Sequence, residues 1–528
     1  MSVKTPVYLD HHATTPLDPR VRDVLERVQR DHFGNPASSW HAPGWAAARL
    51  VEEAREKVAA LVGAASSEIV FTSGATEAAN LALLGAVATP DGGSGHLVTT
   101  VLEHEAVAGP ASELKRRGWR VTPVACGAGG VVEADDIEVA IGAETALVAV
   151  MAAQNEIGTI QPLREIGAAC KDHEVLFFTD AVQGAGRIPL DVRDMGIDLL
   201  AISSHKLYGP KGVGALYVRR RDPRVTVRPL MFGGGQERDL RPGTLNVPGI
   251  AAFGEACLVA GEVMGEESVR LRGFRDRLLA GLTAGLGGVH VNGALDHRLP
   301  GNLNVSFEGV RAHRLLGALT TLAVSSSSAC SSAATGPSPV LRALGVSDDL
   351  AMASLRVGLG RFTTEAEVAH HEPALSQAGY YVCTIHWGPT FVRDLLQAKV
   401  DLVYNDSSLA EAAILEDLDI PFVGSDAFEC DIATEKSLSK ILWQRMGLPT
   451  SHFFVARSEQ DCQMFEKEPP LDYPLFIKPV AGRGSAGINE ASVVRDYDQL
   501  VEGVRERLEK IGQPVLIERF LQGREISV

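Results

Sequence analysis

Short apolar runs alternate with longer segments of mixed polarity along the first half of the chain. Ile69-Val70-Phe71 leads into Thr72-Ser73-Gly74-Ala75-Thr76, and His96-Leu97-Val98-Thr99 leads towards Glu103-His104-Glu105. Residues 146–151 precede Gln154-Asn155-Glu156, and residues 175–178 precede Thr179-Asp180-Ala181. Asp198-Leu199-Leu200-Ala201-Ile202 ends in Ser203-Ser204-His205-Lys206, and glycines follow at 209, 212 and 214. Apolar runs this short are strand-like, and the intervening segments suit helices. The alternation predicts a mainly parallel sheet with helices on both faces. Ligands in such sheets sit beyond the carboxyl ends of the strands. Each of these runs ends there in small or polar residues.

Ahead of this pattern, residues 7–10 read as an extended lead. Residues 20–31 and a stretch ending near residue 61 read as helices, with Phe33-Gly34-Asn35-Pro36 as a loop between them. From 258 to 368 the pattern becomes long helix, strand and helix, a smaller α+β domain behind a large domain over 1–257. Residues 363–378 read as a boundary. A second βα region over 372–528 carries apolar runs at 379–385, 400–404, 420–423 and 475–479, with a helix over 434–446.

The composition, with 45% hydrophobic and 22% charged residues in 528, is that of a globular protein of more than one domain. The net charge of −16 comes with short basic clusters only (Lys115-Arg116-Arg117, Arg219-Arg220-Arg221), which argues against nucleic acid as a direct partner. No apolar run reads as long enough to span a bilayer, and the N-terminus lacks a signal-peptide core, so a cytoplasmic location is expected. The seven cysteines are scattered without a Cys-x-x-Cys pair, which points to reduced thiols and to no metal site.

Lys206 carries the most chemistry. A lysine at the end of a buried strand loses hydration, and desolvation favours the neutral amine that attacks carbonyls, as a Schiff-base lysine must; standing alone it would read instead as a loop lysine in water. Gly74-Ala75-Thr76 opens a helix whose N–H groups and hydroxyl suit a phosphate, or equally a plain cap. Asp180 suits a protonated pyridine nitrogen, or again a helix cap. His104 suits stacking on a flat cofactor or proton transfer, or a structural role. Asn155 and Gln183 are neutral hydrogen-bonders at two further strand ends. Cys330 stands in the run 323–337 of Ser, Ala, Gly and Thr, which cannot pack an apolar core and should be an exposed loop. Cys126, Cys170, Cys257, Cys383, Cys430 and Cys462 have apolar or helical surroundings and read as structural. Arg356, in Ser354-Leu355-Arg356-Val357-Gly358, offers a fork for a carboxylate.

Together these residues make residues 7–368 resemble a cysteine desulfurase of the NifS/IscS type, a class V aminotransferase relative in the long-loop subgroup. The matching stretches are Tyr8-Leu9-Asp10-His11-His12-Ala13-Thr14-Thr15-Pro16, Phe33-Gly34-Asn35-Pro36, Thr72-Ser73-Gly74-Ala75-Thr76-Glu77 and Glu103-His104. They continue with Asn155-Glu156-Ile157-Gly158, Asp180-Ala181-Val182-Gln183, residues 203–214, Arg241-Pro242-Gly243-Thr244, the Cys330 loop and Leu341-Arg342-Ala343-Leu344-Gly345. The family commonly has Gly at Ser327 and Ser at Pro242, and its C-terminal helix is cut short here near residue 368.

The resemblance implies the α/β fold of a fold-type I pyridoxal-phosphate-dependent transferase, converting L-cysteine to L-alanine. Lys206 would anchor pyridoxal 5'-phosphate covalently. Asp180 would pair with the ring nitrogen, Gln183 with the ring oxygen, and His104 would stack on the ring. Ala75, Thr76, Ser203 and His205 would hold the phosphate, with Ser204 a further cofactor contact and Thr244 reaching the phosphate of the other subunit of a homodimer. Asn155 would contact both cofactor and substrate, and Asn35 and Arg356 would hold the substrate at its carboxylate. Cys330 would take the sulfur as a persulfide and pass it to an acceptor or scaffold protein, for iron–sulfur clusters or tRNA thiolation. A selenocysteine lyase or a sulfinate lyase is the neighbouring alternative.

Residues 372–528 resemble instead part of an ATP-grasp domain of the D-alanine–D-alanine ligase group. The resemblance rests on Tyr473-Pro474-Leu475-Phe476-Ile477-Lys478-Pro479, Gly482-Arg483-Gly484-Ser485-Ala486-Gly487 and Val515-Leu516-Ile517-Glu518-Arg519-Phe520. It implies ATP contacts at Lys436, Lys478, Gly484, Ser485 and Glu518, with magnesium ligands beyond the matched stretch. A bifunctional protein is the second alternative, in which this part is a carboxylate ligase using sulfur from the front domain.

Overall fold

The structure, a computed structural model, describes residues 5–87, 94–309, 319, 321–326, 336–369, 403–404, 422–423, 435–445, 450–466, 469–481 and 488–520. The chain divides into two compact units, Met1–Cys383 and Thr384–Val528.

The first unit opens with strand β1 (Val7–Tyr8) and helices α1 (Pro19–Asp31) and α2 (Ala42–Leu61). Asp18 caps α1 by accepting from Arg20 N at 2.9 Å, and Pro19 stands at its first position, where a missing N–H costs nothing. There follow β2 (Ile69–Thr72), α3 (Ala75–Ala86), β3 (His96–Thr100), α4 (Glu105–Arg116), β4 (Arg120–Val124), α5 (Ala134–Ala140) and β5 (Thr145–Ala149). Next come α6 (Leu163–Asp172), β6 (Leu176–Asp180), β7 (Leu199–Ser203) and β8 (Gly214–Val218).

Seven strands form one sheet in the order β2-β8-β7-β6-β5-β3-β4. All neighbours are parallel except β8, which runs antiparallel to both β2 and β7. The mainly parallel sheet is as expected, and the reversed strand is what the pattern missed. The link from β7 to β8 is too short for a crossover helix, so the chain can only turn back. Alternate residues serve two cores, because side chains switch faces along a strand. Phe71, Val98, Val148, Phe177, Leu200 and Tyr217 meet one core with α1, α2 and α6. Val70, Leu97, Leu147, Phe178, Leu199 and Leu216 meet the other with α3 and α4.

Helix α7 (Val247–Gly285) runs 39 residues, capped by Asn246, which accepts from Gly249 N at 3.1 Å. Residues 257 and 258, where the pattern divides large from small domain, both lie inside it. Its first half (Ile250, Phe253, Ala256, Ala260) packs in the large-domain core, and Leu271, Leu278 and Leu282 pack in a third core. The helix is long and apolar enough to cross a membrane, which the sequence reading did not expect, but 61% of its most apolar window is buried inside the protein. Its apolarity is that of a core helix.

The third core belongs to strands β9 (Val289–Val291), β10 (Asn302–Phe307), β11 (Leu322–Ala323), β12 (Ser325–Ser326) and β13 (Ser354–Gly358). Four of them form an antiparallel sheet in the order β12-β13-β10-β9. β1 pairs in parallel with β11, and Val7 and Leu9 enter this core, so the N-terminal lead is threaded into the small domain.

In the second unit, β14 (Val403–Tyr404) and β15 (Phe422–Val423) pair in parallel. A helix over Lys436–Arg445 follows. An antiparallel sheet in the order β16-β19-β17-β18 comprises Phe453–Ala456, Val515–Arg519, Leu475–Pro479 and Val493–Val494. A helix over Tyr497–Ile511 closes its core through Leu500 and Val504. The expected strand over 379–385 lies outside the described residues.

Candidate active site

The carboxyl ends of β2, β3, β5, β6 and β7 lie along one edge of the sheet, and the candidate residues follow directly from them. Ser203 closes β7, and a single 3-10 turn, Ser204–Lys206, carries the lysine out of the sheet. Lys206 is half-buried and donates from Nζ to the carbonyls of His12 and, at 2.8 Å, Ala13. His205 Nδ1 meets Thr14 Oγ1 at 3.1 Å, and burial, with the charges of Lys206 and Lys211, pushes its imidazole down to about 4. Gly209 must lack a side chain, because a Cβ would stand 2.0 Å from Ser204 Oγ.

Asp180 ends β6, is 4% exposed and accepts from Val182 N at 3.0 Å. Burial raises its carboxyl, against the opposing charges of His104 and Lys206. Gln183, one turn later, donates from Nε2 to the His12 carbonyl at 3.0 Å and meets His12 Nδ1 at 3.2 Å. His104 caps α4 by accepting from Ala106 N at 3.1 Å, which is the structural role left open for it. Gly74 and Ala75 open α3, with no side chain capping the helix. A Cβ on Gly74 would meet nothing within 4 Å. Thr76 is exposed there, and Thr244 is exposed in a loop that Arg241 ties to α3 through Glu77 at 2.9 Å.

Arg356, 1% exposed, donates to Asp10 Oδ1 at 2.9 Å and to the Asn155 carbonyl at 3.3 Å, which joins two candidate residues 201 positions apart. Asn35 is exposed, accepts from Ala37 N at 2.9 Å, and lines a different pocket, with Arg55 and Glu237. No described contact joins it to Lys206 or Arg356. Cys330 lies outside the described residues. Cys170, Cys257 and Cys462 are buried and Cys126 half-buried. Burial pushes the Cys170 thiol to about 12 and, with Asp461 and Glu459 adding to it, Cys462 to about 11. Cys383 and Cys430 lie outside the described residues.

The structure also gathers residues the sequence did not single out. Arg187 donates to Gln183 Oε1, to the His11 carbonyl at 3.1 Å and to the Lys206 carbonyl at 3.2 Å, locking three segments of the site together. Glu103 accepts from Thr100 Oγ1 at 2.8 Å and Met151 N at 2.9 Å, its other oxygen is buried without a partner, and burial pushes its carboxyl up to about 8. Only the histidine beside Glu103 carried a sequence signal. Arg187 and Asp10 are ordinary charges until the fold brings their partners to them.

The class-V aminotransferase profile matches residues 7–370. The chain belongs to the class-V aminotransferase family. Among curated relatives of this family it is 51% identical over 368 residues to a cysteine desulfurase IscS of Anaeromyxobacter sp. (strain Fw109-5), which covers 70% of this chain and 91% of that one. It is 48% identical over 365 residues to a probable mitochondrial cysteine desulfurase of Dictyostelium discoideum, covering 69% and 81%. Among solved structures, a NifS-like protein superposes with a TM-score of 0.66 at 36% identity over 71% of this chain and 100% of its own. SspA in complex with cysteine superposes at 0.59 with 34% identity, over 68% and 99%.

Pyridoxal phosphate is the cofactor of this family, and the residues fit it. The open, uncapped turn at Gly74-Ala75 suits a phosphate. His12 Nε2 is buried without a partner among the described residues, beside the lysine turn. Asp180 is a buried carboxyl within reach of the lysine's field.

In the second unit the profile of the D-ala D-ala ligase C-terminus matches residues 442–528. Lys478 and Glu518 form an ion pair at 2.5 Å, and Lys440, which the sequence did not single out, approaches Glu518 at 2.8 Å. Burial raises Glu518, but hydrogen bonds from Lys440 and Lys478 outweigh it and hold it below its ordinary value. Burial and the charge of Lys478 lower Lys436. Gly484 and Ser485 lie outside the described residues.

Proposed function

We propose that this chain converts L-cysteine to L-alanine, with transfer of the sulfur to Cys330. The observation that carries this reading is the convergence of Lys206, Asp180, Gln183 and His104 on one sheet edge, in a chain about half identical to cysteine desulfurases.

Lys206 would hold the cofactor covalently, Asp180 would pair with its ring nitrogen, Gln183 with its ring oxygen, and His104 would stack on the ring. Ala75, Thr76, Ser203 and His205 would hold its phosphate, with Thr244 of a second copy, and Ser204 would be a further cofactor contact. When bound, pyridoxal phosphate supplies an electron sink for negative charge at the substrate α-carbon. Arg356 would bind the substrate carboxylate, with Asn35 as a second carboxylate contact, and Asn155, whose carbonyl accepts from Arg356, would also hold the substrate. Lys206 Nζ would exchange the proton at the substrate α-carbon. The Cys330 thiolate attacks the substrate sulfur. The new S–S bond forms as the carbon–sulfur bond breaks, and the electron pair left on carbon takes a proton to give alanine. The persulfide on Cys330 then passes its sulfur to an acceptor protein.

A homodimer is supported by the exposed Leu230, Met231 and Phe232 near the Thr244 loop, since a run of large exposed apolar residues favours a partner surface. Mass spectrometry after L-cysteine should find one added sulfur on Cys330. Lys206→Ala should lose the visible cofactor band and alanine formation; desulfuration surviving this change would end the reading. Selenocysteine turnover by Cys330→Ser at the wild-type rate, with cysteine turnover lost, would favour a lyase reading.

For the second unit the proposed reading is nucleotide binding at Lys436 and Lys478, supported by the cluster of lysines around Glu518. Calorimetric titration with ATP and magnesium tests it, and no binding at millimolar nucleotide would remove it.

A further inference from the structure

We infer that Asp10 is a positioning residue for substrate selection: it sets the fork of Arg356 and rejects substrates with a second acidic group. This rests on the reading that Arg356 receives the substrate carboxylate.

Arg356 is at the centre of β13, opposite Asn304 on β10 and Ser325 on β12. It heads the largest fully buried side chains among the described residues. A guanidinium there needs a carboxylate, because an isolated buried charge is costly. The carboxylate comes from 346 residues earlier in the chain, with Arg356 Nη2 at 2.9 Å from Asp10 Oδ1. The backbone makes this meeting possible. β1 pairs with β11, Asp10 bridges in parallel to Gly358, and Gly358 N donates to the Leu9 carbonyl at 2.6 Å. Gly358 is required, since a Cβ there would stand 2.9 Å from His11 N.

Asp10 has a second contact. Its Oδ2 accepts from Ser325 Oγ at 2.8 Å, on the short strand β12. Both oxygens therefore have defined donors, and the carboxylate cannot rotate away from Arg356 without losing one of them. A charge-assisted bond to one edge of the guanidinium fixes the plane of the whole fork. The Asn155 carbonyl at 3.3 Å fixes it from another side.

The same carboxylate has an electrostatic consequence. An amino acid with a neutral thiol brings one carboxylate to Arg356. L-cysteine sulfinate brings that carboxylate and a second anion, and the fixed charge of Asp10 beside Arg356 opposes the added negative charge. Specificity is a difference of affinities, and a fixed like charge is an effective way to build it.

The test compares Asp10→Asn, Asp10→Glu and Arg356→Ala with the wild type as holoenzymes. Alanine formation from L-cysteine and from L-cysteine sulfinate is measured, with binding of 2-aminoethanethiol, which lacks the carboxylate. Asp10→Asn is expected to raise KM for L-cysteine about 10-fold with kcat nearly unchanged, because the fork of Arg356 keeps a hydrogen-bond acceptor but loses its charged partner. Its binding of 2-aminoethanethiol should be unchanged, and its preference should shift towards the sulfinate. Asp10→Glu keeps the charge and should keep the rejection of sulfinate while KM stays raised. The inference is overturned if Asp10→Asn leaves KM and preference unaltered, or if it weakens 2-aminoethanethiol equally, which a general deformation would do. If Arg356→Ala leaves KM for L-cysteine unchanged, the underlying reading of Arg356 fails and this inference falls with it. If Arg356→Ala raises KM and Asp10→Asn does not, only the role of Asp10 fails.

Discussion

At the scale of single residues, the site is governed by what burial does to charge. Glu103 illustrates the sign. Its folded carboxyl is raised from 4.5 to about 8 by burial, so the folded state favours the protonated form. The stability this provides is complete below the unfolded value and is lost as pH rises towards 8. Glu103→Gln cannot ionise, so its melting temperature should fall less than the wild type's between pH 6 and pH 9; parallel melting curves would refute the assignment. Arg55 and Glu237 make a second case. Glu237 accepts from Arg55 through both oxygens at 2.7 Å, and also from Phe71 N at 2.7 Å. Glu237→Ala leaves a buried guanidinium and an unpaired N–H, which costs on the order of 3–5 kcal/mol. Denaturant unfolding of that variant should show a loss of this size, and a loss under about 1 kcal/mol would mean that solvent replaces the pair.

Among elements, the reversed strand β8 is the one that shapes the cofactor cradle. It brings Gly214 against the Gly74 turn so closely that a Cβ on Gly214 would stand 2.7 Å from Gly74 Cα and 2.6 Å from the Ile202 carbonyl. Backbone atoms at that distance cannot yield cheaply. Gly214→Ala should push the Gly74-Ala75 turn off β8 and weaken cofactor retention, read as faster loss of the visible band on dialysis, with far-UV circular dichroism unchanged. Retention equal to the wild type would show that the turn tolerates the shift. The parallel core of the sheet was legible in the short apolar runs, because strands buried on both faces must be apolar throughout. The reversal of β8 was not, since local pattern carries no direction. Helix α7 was read as beginning late for a related reason. Its first half is small and apolar on every side, which looks like neither a stripe nor a boundary until it is packed between α1 and α2.

On the scale of the whole molecule, the three cores of the first unit draw only on residues before 383, and the second unit has a core of its own. Calorimetry should therefore resolve two transitions, and removal of pyridoxal phosphate should lower only the one belonging to the first unit. A single transition that moves as a whole would contradict independent folding. The sequence by itself determined the chemistry at the strand ends. Lys206, Asp180, Gln183, His104 and the Gly74 turn each follow a buried run, and local polarity breaks are visible without coordinates. It also determined that two unlike segments are joined in one chain. Only the tertiary structure decided which distant charges keep those groups in place. Asp10 meets Arg356, Arg187 meets Gln183 and the lysine turn, and Lys440 meets Glu518. In sequence these residues look like any solvated charge. Their partners are set by threading and burial, and the free energy of pairing a charge arises only once the fold has removed the water.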